Sequence, residues 1–429
     1  MAAVVTDTDV AIVGAGAAGL AAARTLTDLG VPFVLLEAAH RIGGRAYTEE
    51  ISPGVPFDLG CHWMHSASLN PFVAIADSFG FHYNTQGISL RIRLDGAWAS
   101  ETVQEERDAF FERNLDLIAQ AGERGRDVAI AEATERDSRW TAPFDYFISL
   151  MASADADRVS TLDYHNYNDT GENWPLKEGY GALVARFGAD VPVTLNAAVA
   201  RIDWSAETLR LTAPRGEVRA KKVIVTVSTG VLGGGHIRFD PPLPGAKQEA
   251  IAALPLGNHN RICLVYDRDV FGADHPHGAT LLNQGSEPMG FSIRPFGYDY
   301  VVGFTGGRFA DWLERAGVEA SVDLAKENLK RAFGADIVKH VARHSVTAWR
   351  GDPWVRGAYS AALPGQAHQR ARLAEPLDER LYFAGEAASP DFFSTAHGAH
   401  LTGIRAARAA ASSLGREQNA ETDATDSAG

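Results

Sequence analysis

Apolar and polar residues alternate along this chain in patterns that predict strands first, then helices. Residues 9–13, 33–36 and 222–227 are short apolar or β-branched runs. The last is apolar enough to be buried on both faces of a parallel sheet. Residues 17–29 carry small and apolar residues at helical spacing, and Gly30 follows as a C-terminal cap. Helical spacing returns at 107–122 through Phe110, Phe111, Leu115, Leu117 and Ile118, and again at 144–151. These two runs predict amphipathic helices of a covering region. A hairpin is expected across 204–219, strands at 262–266, 290–293 and 300–304, and a helix at 321–333. The polar, aromatic stretch 164–169 reads as a surface loop, with a pocket wall as the alternative. The small, polar residues after Gly415 predict a disordered tail over 416–429.

Between the first strand and the first helix lies Gly14-Ala15-Gly16-Ala17-Ala18-Gly19, the GxGxxG spacing of a dinucleotide-binding turn. Gly14 permits the tight turn, Gly16 lets backbone approach a pyrophosphate, and Gly19 lets helix and strand pack closely. The helix then aims its free N–H groups at the phosphates. The second strand delivers Glu37 where a carboxylate accepts from a ribose 2′-OH. A second glycine pair, Gly43-Gly44, is flanked by Arg41 and Arg45, and guanidinium suits bidentate phosphate contact.

With 429 residues the chain exceeds what one hydrophobic core usually organises, so two domains are expected. The net charge of −14 argues against nucleic acid as a partner and tilts the summed field toward cationic substrates. Cys61 and Cys263 are the only cysteines, far apart, and no metal site or disulfide framework follows from them. The N-terminal stretch has no signal-peptide pattern, and no apolar run reaches membrane-spanning length. A cytoplasmic protein without a membrane anchor is expected; whether it forms a homodimer is left open.

The opening motif, its Arg-Ile-Gly-Gly-Arg continuation and the Phe383-Ala384-Gly385-Glu386 segment together resemble the flavin amine oxidase family of monoamine oxidases, polyamine oxidases and flavin-dependent histone demethylases. The resemblance implies an α/β fold, α+β overall. A Rossmann-like FAD-binding domain is expected from residues 1–83, 176–250 and 355–415. A discontinuous substrate-binding domain of mixed sheet and covering helices is expected from 84–175 and 251–354. It also implies FAD contacts at Gly14, Gly16, Gly19, Glu37, Arg45 and Glu386, and at Val199, whose backbone would read the adenine edge. Gly60, Trp63 and His65 fall in a segment that would lie along the flavin ring, with His65 facing the substrate channel. The bland reading of that segment is a strand edge with a core tryptophan. Trp354 belongs to a tryptophan-rich stretch expected to form a ligand wall, and Gly385 and Ala396 bracket a helix start aimed at the ring.

The sequence also departs from the family. Ala358 stands where monoamine oxidases carry the cysteine that holds flavin, so FAD is expected to be non-covalent. Tyr359 matches the first aromatic of the substrate cage, whereas Thr395 stands at the second, leaving the cage half built. Arg261 replaces the family's lysine near flavin N5; its bland alternative is to point away and pair with a carboxylate. The implied activity is oxidation of a small amine: a hydride equivalent passes from the α-carbon to FAD, the imine hydrolyses to an aldehyde or ketone, and O2 accepts the electrons to give H2O2. No metal is required. The rivals are an amine dehydrogenase with another acceptor, a flavin scaffold without turnover, and a desaturase or protoporphyrinogen-type oxidase, which a lobe lined by Phe and Leu would favour.

Overall fold

The computed structural model describes residues 4–86, 90–272, 278–282 and 288–416. The sequence's first strand is longer than its apolar core suggests, running Val4–Val13, and pairs in parallel with Gly216–Val225 on one side and Phe33–Leu36 on the other. These strands form the centre of an eight-stranded sheet. Arg238–Asp240, Arg201–Asp203 and Leu209–Ala213 extend it at one edge, and Val193–Thr194 closes the other. Leu381–Phe383 joins in parallel beside Gly216–Val225. Strands from three distant stretches of sequence thus end side by side, and their C-terminal ends gather the glycine turn, Thr226 and Gly385 at one place.

Helix Ala17–Asp28 packs on this sheet and against helix Ala396–Ser412. The crossing depends on small residues: a Cβ on Gly403 would sit 2.1 Å from the Ala18 carbonyl oxygen. Gly19 answers the same need against the strand, since a Cβ there would sit 1.8 Å from the Gly14 carbonyl oxygen. Two apolar clusters fill the faces of this sheet, one built on Val10, Ile12, Leu20 and Leu35, the other on Ala11, Val13, Ile224's neighbours Val223 and Val225, and Phe383.

A second sheet has seven strands in the order Val341–Val346, His259–Tyr266, Tyr300–Gly306, Met289–Ile293, Gly278–Leu282, Leu90–Leu94 and Ala97–Trp98. It is antiparallel except where Gly278–Leu282 meets Leu90–Leu94. Helices Gly307–Ala316 and Val318–Phe333 cover one face. Near the other, helices Glu101–Glu123 and Thr141–Ala152 build a separate cluster around Phe110, Ile118, Phe144 and Ile148. Residues 164–169, expected as a loop, include the end of a short helix, Thr161–Asn166, capped by the Ser160 hydroxyl. The expected disordered tail falls almost wholly outside the described residues. Among those described, no helix is long and apolar enough to cross a membrane.

Candidate active site

One cavity of about 1080 Å³ runs from the glycine turn to the space between the second sheet and its helices. It exceeds the roughly 300–1,000 Å³ of a usual single-ligand pocket. Gly14 has φ +103, a conformation open to glycine, and Gly16 caps the first helix without any side-chain bond. A Cβ on Gly16 would meet nothing nearer than the Gly43 carbonyl oxygen at 4.0 Å, so backbone there is bare toward the cavity. The two glycine loops are tied to each other by Gly43 N–H donating to the Ala15 carbonyl, 2.9 Å.

Glu37 lines this end, and its carboxylate also braces the loops by accepting from the Ala15 and Ala39 N–H groups at 2.6 and 2.8 Å. Each carboxylate oxygen still has a lone pair for a ligand hydroxyl. Val199 is 6% exposed, and its N–H and C=O take no hydrogen-bond partner among the described residues. An orphaned backbone pair beside a cavity is what an adenine edge would satisfy.

Further along, Arg45 and Glu386, both expected at the cofactor, form an ion pair at 3.0 Å. Glu386 also accepts from Ser360 Oγ at 2.6 Å, Ser360 N–H at 3.2 Å and Ser394 N–H at 2.9 Å. Burial opposes its ionisation, but the charges of Arg45 and Arg370 and the Ser360 bond outweigh that, holding the carboxyl below its ordinary range. Gly385, with φ +132, and Ala396 line the same wall. Gly60 lines the cavity too, but what requires glycine there is protein: a Cβ would sit 1.8 Å from the Arg45 carbonyl oxygen. Trp354 lies at the mouth, 45% exposed.

On the other side, Tyr359 donates its hydroxyl hydrogen to the Leu150 carbonyl and accepts from His259 Nδ1 at 2.8 Å. The rings of His259 and Tyr359 meet edge to face at 5.8 Å, His259 lies 6.0 Å from Phe304, and Phe304 lies 6.1 Å from Trp63. Four rings therefore wall the site. Arg261 enters beneath them, its guanidinium 5.7 Å from Trp63 and 5.9 Å from Phe304. It does not turn away to a carboxylate; Nη1 donates to the Asp58 carbonyl at 2.6 Å. Burial lowers its pKa, although a guanidinium stays charged in water's pH range. His65 lines the cavity with Nδ1 bonded to Asn173 Oδ1, and burial lowers its pKa, so it presents a neutral imidazole.

Thr395 lines the cavity, and its hydroxyl is at the same time committed to backbone. Its hydroxyl donates to the Phe392 carbonyl at 2.6 Å and accepts from Gly398 N–H at 3.0 Å, which makes it the N-cap of helix Ala396–Ser412. His259 and Phe304, which sequence reasoning missed, add two rings to this lining. Strand alternation held the signal for His259: it lies two residues before Arg261 and so on the same face. The polar stretch 164–169 contributes Tyr164, Tyr167 and Asp169 to the lining, as the pocket-wall alternative required.

Residues 146–411 match the sequence profile of a family described as Flavin containing amine oxidoreductase, and residues 12–79 match a NAD(P)-binding Rossmann-like domain. The chain belongs to the flavin-containing amine oxidoreductase family. Among similar proteins, Polyamine oxidase 4 of Oryza sativa subsp. japonica is 29% identical over 93% of this chain and 87% of its own length. Lysine-specific histone demethylase 2 of Homo sapiens is 25% identical over 93% of this chain but only 53% of its own length. Of solved structures, a putrescine oxidase bound to putrescine superposes with a TM-score of 0.79 at 21% identity, covering 94% of this chain and 99% of that one. Cyclohexylamine oxidase from Brevibacterium oxydans IH-35A also gives 0.79 at 21% identity, covering 95% of this chain and 100% of that one. This amine oxidoreductase is thus an FAD-dependent enzyme of α/β architecture that oxidises an amine. Among the described residues no cluster could hold a metal ion.

Proposed function

We propose that FAD lies along the wall formed by Gly14, Gly16, Glu37, Arg45, Val199, Gly385, Glu386 and Ala396, with Gly19 serving helix–strand packing behind the wall, and that the amine sits among Trp63, His259, Phe304 and Tyr359. The observation that carries this reading is the continuity of one cavity from the glycine turn to the four rings. FAD, when bound, supplies the two-electron oxidation of the amine carbon–nitrogen bond. The chain supplies position and dry surroundings. Tyr359 is held by bonds to Leu150 and His259 and so offers a fixed ring face. His65, neutral and anchored through Nδ1, has Nε2 left to accept an amine N–H. Arg261 brings a permanent positive charge to the floor of the cage, which favours any negative charge that develops there.

The amine we infer has an apolar body. The lobe beyond the cage is lined by Ile92, Phe111, Phe147, Leu150, Leu282 and Phe291. Such a lining on its own would equally suit a desaturase; family membership and the His65–Tyr359 pair favour an amine. Of the lining carboxylates, Asp163 is engaged with Arg370 and Glu386 with Arg45, whereas Asp169 has no ion-pair partner among the described residues. We take oxygen as the electron acceptor, with H2O2 as product, in keeping with the oxidases among the similar proteins. We also divide the chain into the FAD-binding segments 1–83, 176–250 and 355–415 and the substrate-binding segments 84–175 and 251–354, a division supported by the two separate sheets.

Anaerobic addition of monoamines, diamines and polyamines to the yellow protein tests the reading, followed by a peroxide assay in air. Bleaching is expected with an aryl or alicyclic monoamine and peroxide on readmission of oxygen. Bleaching by none of the amines would sink the proposal, and bleaching without peroxide would replace oxygen by another acceptor.

A further inference from the structure

The apolar lobe has a charged end. Helix Thr141–Ala152 ends at the cage, where the Leu150 carbonyl accepts from Tyr359, and Phe147 stands one turn earlier. The Phe147 ring meets Phe111 of helix Glu101–Glu123 at 5.6 Å. One turn earlier on that helix is Arg107, its guanidinium 5.5 Å from the Phe111 ring. Two helical turns and one ring contact therefore separate the cage from Arg107, roughly 11 Å of helix rise. Phe111, Phe147, Leu150 and Arg107 all line the cavity.

Arg107 is only 13% exposed at its side chain. Its Nη2 reaches the neighbouring Asp108 at 2.5 Å, but Nε is buried and takes no hydrogen-bond partner among the described residues. That unpaired N–H leaves the guanidinium one hydrogen bond short. Phe111, Phe147, Leu150, Leu282 and Phe291, which line the cavity with Arg107, carry no charge.

Resting on the reading of the cavity as an amine site, we propose that Arg107 determines specificity at the far end of the substrate. It takes a carboxylate tail carried on an apolar spacer, and it turns away a second ammonium. The preferred substrate class is an amine with an acidic far end, and a diamine of equal length is the disfavoured one. The local charge opposes the acidic balance of the whole chain, and at contact range it outweighs charges more than a Debye length away.

The test uses the holoenzyme with three amines of one length: octylamine, diaminooctane and aminooctanoate. Wild type is expected to rank aminooctanoate first and diaminooctane last in kcat/KM, with at least about tenfold between neighbours, the scale of one charge-assisted hydrogen bond. R107E should reverse the order, and R107Q should flatten it. Octanoate, which has no amine, should perturb the flavin spectrum of wild type and lose at least about tenfold in affinity in R107Q. An unchanged ranking in R107E, or equal octanoate affinity in wild type and R107Q, would overturn the assignment. If none of the amines bleaches wild type, the amine reading of the site has failed instead, and the octanoate comparison still decides whether Arg107 binds a carboxylate.

Discussion

Thr395 illustrates how a residue that lines a cavity can also carry a structural task. Both hydrogen-bonding roles of its hydroxyl are used within the first turn of helix Ala396–Ser412, so its size is secondary to its capping. Thr395→Ala should lower stability by about 1 kcal/mol, the usual cost of a lost N-cap, while Thr395→Ser keeps most of it. Relative activity toward slim and bulky amines should stay as in wild type. A thermal melt and a substrate panel on both variants check this; a shift in substrate preference without loss of stability would show that Thr395 shapes the cage rather than the helix start. His259 and Phe304 were illegible for a related reason. Each is an ordinary strand residue in sequence, and only the pairing of His259–Tyr266 with Tyr300–Gly306 brings them to the same wall. Gly14 and Gly19 were legible because their reason is local: Gly14 has φ +103, and a Cβ on Gly19 would sit 1.8 Å from the Gly14 carbonyl oxygen.

At the scale of elements, periodicity identified the helices with long apolar stripes, such as Glu101–Glu123 and Val318–Phe333. It passed over Thr161–Asn166, which has six residues and no stripe, and whose one signal is the Ser160 cap. Helix Ala396–Ser412 was legible as a helix, but its buried histidines were not assigned a consequence. His397 and His400 lie one turn apart on its packed face, and His400 sits between Phe72 and Phe187 at 5.1 and 5.2 Å. Burial pushes His397 down to about 3 and His400 down to about 4, from an ordinary value of 6.5. The unfolded chain therefore binds more protons below pH 6.5. The stability these neutral rings contribute is fully present above that pH and is lost as pH falls toward 4 and then 3. Denaturant midpoints measured between pH 7 and pH 4.5 should fall steadily. His400→Phe, which keeps an aromatic ring between Phe72 and Phe187, should show a shallower slope. An identical slope in the variant would mean that other groups carry the acid sensitivity.

At the scale of the molecule, the proposed FAD wall is assembled from residues near 14–19, 37–45, 199 and 385–396, stretches that meet only in the folded chain. A ligand bound across them stabilises the native state by mass action, since the unfolded chain has no such site. Nothing at the wall offers a covalent link in the place where the family's cysteine would stand. Ala358 is 4% exposed, its N–H donates to the Gly257 carbonyl, and its own carbonyl accepts from Arg45. Ala358 thus holds Arg45 beside Glu386 and offers no side-chain atom for a covalent flavin link. Acid precipitation should release all of the yellow colour to the supernatant as intact FAD. The apoprotein should melt at a lower temperature than the holoenzyme, and each tenfold excess of added FAD over its Kd should raise stability by about 1.4 kcal/mol. Flavin retained in the washed pellet would show a covalent bond made by some other residue; a melting temperature indifferent to FAD would show that the cofactor does not bridge these segments.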